Sequence, residues 1–147
     1  MSPEPGHGVV VAGVDGSAAS AGVLTWAKRQ ADLTGGRLRV VMAWRLPYPP
    51  LAPALYDAHS FSASAHAGLE HSLAGVFGPD FATIVDYKVV QGQAAQVLID
   101  ESRGADLLVI GSRGHGGFVG MMLGSVSQHV TAHAHCPVVV IREGADI

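Results

Sequence analysis

The residues with the clearest chemical promise form one run, Gly111-Ser112-Arg113-Gly114-His115-Gly116-Gly117-Phe118-Val119-Gly120, with Gly124-Ser125-Val126-Ser127 shortly after it. Glycines let a backbone approach an anion with no Cβ in the way, and let successive N–H groups converge on it. A helix opening near Ser125 would add first-turn amides and the positive end of its dipole. The run is therefore expected to cradle a phosphate, with the Ser125 and Ser127 hydroxyls as further donors. A flexible connector of small residues is the plainer alternative. A second group stands in Gly13-Val14-Asp15-Gly16-Ser17, which puts a carboxylate at the tip of a strand. Asp15 would there accept hydrogen bonds from ribose hydroxyls or approach a metal on the phosphates. Capping of the next helix by Asp15 and Ser17 is the plainer role, and both can coexist.

Two better-known phosphate motifs are excluded. No Lys-Ser/Thr pair follows a GxxxxG, so the run is not the usual P-loop. The GxGxxG of dinucleotide enzymes would follow the first strand, where only Gly13 and Gly16 occur.

These groups need elements to hold them. Val9–Val14, Leu38–Trp44, Leu107–Ile110 and Val138–Ile141 are apolar runs that read as buried strands, with a more polar fifth at Ile84–Val90. Their continuous apolarity fits a sheet covered on both faces. Helix-length segments lie between them at Ser17–Leu33, Tyr56–Val76, Ala94–Arg103 and Val126–His133. Ser17 is expected to cap the first helix and Gly35-Gly36 to end it; Ser125 or Ser127 would cap the last, which stops before Pro137. Alternating strands and helices predict an α/β fold with a parallel sheet and helices on both faces. The glycine run then leaves the carboxyl end of a strand, where such folds bind ligands. Arg45–Leu55, with Pro47, Pro49, Pro50 and Pro53, reads as an irregular loop and a candidate lid or partner surface.

The 147 residues suit one domain, expected over 9–147 behind a short flexible tail, 1–8, that lacks the features of a secretion signal. A net charge of −3 with nine scattered Lys and Arg argues against nucleic acid as a partner. No apolar run approaches membrane-spanning length, and the single Cys136 fits a small buried hydrophobe in a reducing cytoplasm. Eight histidines invite a metal hypothesis, because His129 and His133 share a helical face with His135 and Cys136 close behind. Without a Glu inside the pair or a second cysteine, no metal ligands are assigned. His115 would contact phosphate or remain solvated.

The glycine run resembles the universal stress protein family in its ATP-binding branch. That branch carries Gly, two residues, Gly, nine residues, Gly, then Ser or Thr, and Gly111, Gly114, Gly124 and Ser125 meet every interval. The resemblance extends through Ala105–Ile110, Cys136–Arg142 and Val11–Ser17. It implies a five-stranded parallel sheet of order 3-2-1-4-5, Rossmann-like, binding ATP with Mg²⁺ held through the phosphates. Gly13, Val14 and Asp15 would line the adenosine, Asp15 near the ribose, with the Ala43 backbone against adenine. Ile110, Gly111, Gly114, Gly124, Ser125 and Val126 would meet the phosphates. Arg113 stands where a guanidinium could pair with phosphate oxygens, a solvated loop arginine being the alternative. The resemblance also implies a nucleotide-dependent regulator in stress physiology and a homodimer through the C-terminal strand, whose apolar edge invites pairing. Lacking a lysine and a positioned base, the site is expected to bind rather than turn over, with slow ATP hydrolysis at most. AMP or cyclic AMP is the alternative ligand, and slow ATPase or phosphotransferase action the alternative activity.

Overall fold

The computed structural model describes residues 8–46, 58–112 and 123–142. Arg113, Gly114 and His115, the prolines of the 45–55 loop and tail residues 1–7 lie outside the described residues. Five strands alternate with helices: β1 (Val9–Val14), α1 (Ser20–Thr34), β2 (Arg37–Trp44), α2 (Ala58–Phe77), β3 (Asp86–Gln91), α3 (Ala94–Glu101), β4 (Leu107–Gly111), α4 (Ser125–His133) and β5 (Val138–Ile141). The strands form one parallel sheet in the order β3-β2-β1-β4-β5, as expected.

Strand alternation sorts the core into two layers. Val10, Ala12 and Val14 of β1 turn toward α1 and α2 and pack with Leu24, Leu69 and Leu73. Val11 of β1 and Val41 of β2 turn toward α3 and α4 and pack with Leu98 and Val130. Both faces of the central strands are thus covered, which is why their sequences are continuously apolar. The edge strand β3 is different: its charges are tied outward, Arg37 to Asp86 at 2.7 Å and Lys88 to Glu101 at 2.8 Å. Hydrogen bonding from Arg37 holds the Asp86 carboxyl below its ordinary range.

Several boundaries differ from the sequence expectation. The first helix begins at Ser20 rather than Ser17, with Ala19 as its N-cap and no side-chain capping bond. Ser17 N–H instead donates to Asp15 Oδ1 at 2.9 Å, an Asx-type turn that folds the chain back before the helix starts. The helix ends as expected at Gly35, whose φ of 71° is the left-handed cap that glycine adopts without strain. Neither Ser125 nor Ser127 caps the last helix: Gly124 holds the N-cap position and Ser125 is the first helical residue. Strand β3, expected over Ile84–Val90, starts at Asp86, because Phe81–Thr83 form a 3₁₀ turn that Ile84 closes. The third helix stops at Glu101, where Ser102 takes over with a bond to Ile99 O at 2.6 Å.

Candidate functional site

The strand order reverses between β1 and β4, and a cleft of about 540 Å³ opens at their carboxyl ends. Gly13, Val14, Asp15, Ile110, Gly111 and Val126 all line it. A neighbouring cleft of about 630 Å³ lies past the end of β2 and is lined by Ala43 and Ser125. Val126 and Ala94 line both, so the two form adjoining compartments along one edge of the sheet. Eight of the residues expected from sequence are thereby gathered at one place. Arg113 and Gly114 lie outside the described residues, and Gly124 is not among the described residues lining either compartment, its N–H donating to Ser112 O at 2.7 Å. That N–H is therefore committed to the fold, and the expected phosphate contact at Gly124 cannot use it. Ser125, Val126 and Ser127 follow in the first turn, where the helix itself provides their N–H groups with no acceptor. Those amides and the helix dipole make the α4 start favourable to an anion.

Asp15 is half-buried at the tip of β1. Its Oδ1 accepts from Ser17 N–H and, at 3.4 Å, from Ser20 Oγ. The carboxylate is thus oriented by the turn that leads into α1 while it lines the cleft, a turn role in place of the expected helix cap. Among the described residues lining the two compartments, Asp15 is the one anion and Arg45 the one cation.

Ala43 faces the gap for a reason set by strand geometry. Arg37 N–H donates to Gly8 O on the β1 side, and Gly92 N–H donates to Trp44 O on the β3 side. Backbone groups alternate along a strand, so the odd residues of β2 turn theirs toward β1. Since β1 ends at Val14, opposite Met42, the Ala43 carbonyl is directed past the last residue of its neighbour. A planar ring with an exocyclic amine would meet an acceptor there.

Gly13 has a packing role that spacing did not reveal. A Cβ at this position would come within 2.7 Å of both Leu98 methyl carbons and 3.3 Å of Ile110 Cγ2. Its glycine lets α3 close onto β1, and Leu98 becomes part of the cleft wall. Leu98, Ala94, Ser20, Arg45 and Gln93 are lining residues that the sequence reading missed. Arg45 and Gln93 carried a usable signal, since each directly follows the carboxyl end of a strand or its turn. Leu98 carried none, being one apolar helix residue among many.

The arrangement defines a doubly wound α/β domain with an open cleft at its switch point. The sequence profile of the universal stress protein family matches residues 7–142, and the chain belongs to that family. It is 36% identical over 141 residues to a universal stress protein of Mycobacterium tuberculosis, covering 96% of this chain and 48% of that protein. The chain thus spans about half the length of that curated relative. Its fold is similar to that of a universal stress protein from Lactobacillus plantarum (TM-score 0.74, 23% identity, 92% and 97% of the two chains). It is also similar to a universal stress protein solved in complex with cAMP (0.66, 21%, 92% and 97%) and to a family protein from Arabidopsis thaliana with AMP bound (0.63, 20%, 95% and 94%). Among the described residues no helix is long and apolar enough to cross a membrane.

Proposed function

We propose that this protein binds an adenine nucleotide, ATP with Mg²⁺ held through its phosphates, and uses occupancy as a regulatory signal in stress physiology. The observation that carries the reading is the pair of adjoining compartments sharing Val126. One presents the Ala43 carbonyl for a base, the other the Asp15 carboxylate for a sugar, and the α4 amides lie between them. The exposed Val126 side chain offers an apolar surface to a base or ribose. The glycine spacing Gly111, Gly114, Gly124, Ser125 supports a polyphosphate beyond the sugar. The AMP-bound and cAMP-bound neighbours support an adenine nucleotide in general and keep a monophosphate as the second reading.

In this reading the protein is a binder, with slow hydrolysis at most, working in the cytoplasm. Asp15 would hold the ribose and is already engaged with Ser17 and Ser20. No lysine lines either compartment among the described residues to stabilise a departing phosphate. We further propose a homodimer through β5, whose Val138, Val139 and Val140 are only partly buried on an unpaired edge. The opposite edge strand presents Asp86 and Lys88, which disfavour edge pairing.

Calorimetric titration with ATP, AMP and cyclic AMP, each with and without Mg²⁺, tests the reading. Saturable ATP binding strengthened by Mg²⁺ is expected. Tighter binding of AMP or cyclic AMP transfers the site to the second reading, and no binding of any of the three overturns both.

A further inference from the structure

His129 and His133 lie on the solvent face of α4, opposite Val130, which is fully buried against the second core layer. Their spacing on one helical face was visible in the sequence; how the rings face each other was not. In the folded chain the ring centres are 4.8 Å apart and the planes are inclined by 47°. A metal bound by imidazole nitrogen at about 2.0–2.1 Å would sit roughly 3.2 Å from each ring centre. Were each ring to turn a nitrogen toward one shared ion, ring centres 4.8 Å apart would subtend an angle of about 97° at it. That angle lies between the square-planar and tetrahedral preferences of late transition metals.

Two further features favour a cation at this place. His133 is in the last turn of α4, where carbonyls without helical partners and the negative end of the dipole attract positive charge. Both rings are exposed, so water can complete the coordination shell and the ion needs no buried charge balance. Among the described residues no cluster of three or more His, Cys, Asp or Glu offers a closed site. The chemistry is therefore that of an open two-nitrogen chelate.

We propose that His129 and His133 form a surface chelate for a divalent late transition metal ion, favouring Cu²⁺ and then Ni²⁺ or Zn²⁺, with water as the remaining ligands. The site is separate from the nucleotide reading and stands or falls without it. Binding would stiffen the last two turns of α4, the helix whose first turn borders both compartments.

The test titrates the full chain with Cu²⁺, as the chloride in a non-coordinating buffer. Binding is read by calorimetry, and its place by paramagnetic broadening of backbone amide signals. Broadening is expected first at residues 129–133. His129→Asn and His133→Asn should each weaken binding roughly tenfold or more, since either leaves a single imidazole. His71→Asn, an exposed histidine on α2, should leave it unchanged. Because both α4 rings are exposed, the variants should melt like the parent without metal, which separates lost ligation from lost folding. Broadening spread over other histidines, or equal affinity in the three variants and the parent, would overturn the proposal.

Discussion

Ser127 Oγ donates to Gly111 O across 2.6 Å, tying the first turn of α4 to the last residue of β4. The two residues are 16 positions apart, and the bond holds the end of β4 and the start of α4 together. Ser127 is 3% exposed, so the bond is shielded from competing water. It also redirects the hydroxyl expected to serve a phosphate: its proton goes to the Gly111 carbonyl, which leaves the first-turn N–H groups as the donors α4 can offer.

Ser127→Ala should therefore act through position. It leaves the Gly111 carbonyl without this donor, at a cost of about 1–3 kcal/mol. Urea unfolding should register that loss. ATP affinity should fall in parallel, because the α4 amides are no longer held against β4.

Asp15→Ala removes both the turn acceptor and the proposed ribose ligand. Asp15→Asn keeps an oxygen for Ser17 N–H and Ser20 Oγ but carries no charge. If the carboxylate meets the ribose, nucleotide binding should weaken in both variants, by roughly tenfold or more in the alanine variant. Thermal stability should fall in the alanine variant alone. ATP hydrolysis approaching one turnover per second in the parent, abolished in the alanine variant, would instead argue for catalysis.

Gly13→Ala inserts a methyl where Leu98 already packs. Leu98 is 6% exposed, and the space into which its flexible end can move is the cleft that it lines. A loss of about 1–3 kcal/mol is expected. Because Leu98 lines the cleft, nucleotide affinity should change with stability, and a crystal structure of the variant should show Leu98 displaced.

The Arg37–Asp86 pair yields a pH dependence of definite sign. Hydrogen bonding lowers the Asp86 carboxyl in the folded chain. A depressed acid stabilises above its unfolded value and loses that contribution as pH falls through the folded one. Asp86→Asn should thus be slightly less stable than the parent near neutral pH, and the difference should vanish below the ordinary carboxylate range. Both partners are largely exposed, so the effect should be small and shrink further in high salt.

Burial, and secondarily the nearby Asp106, pushes the Cys136 thiol up. The thiolate is the reactive form, so iodoacetamide should modify Cys136 more slowly at neutral pH than a free thiol. Urea sufficient to unfold the chain should abolish the protection, and Asp106→Asn should increase the folded-state rate modestly.

The sequence by itself determined the five strands and their parallel arrangement, and it offered the Gly111 to Ser127 segment as the proposed phosphate site. Those properties rest on local patterns: continuous apolar runs, helix stops such as Gly35, and glycine spacing. It also placed Asp15 at a strand tip. Tertiary structure decided what depends on partners distant in the chain. Ser17 failed as a cap because Asp15 captured its N–H, and Ser127 gave its hydroxyl proton to Gly111. The direction of the Ala43 carbonyl follows from β1 ending one register position before it, a relation between two strands. Gly13 proved to be a packing glycine because α3 brings Leu98 against it. Helical spacing fixed the shared face of His129 and His133, but side-chain rotamers in the folded helix fixed their separation and tilt.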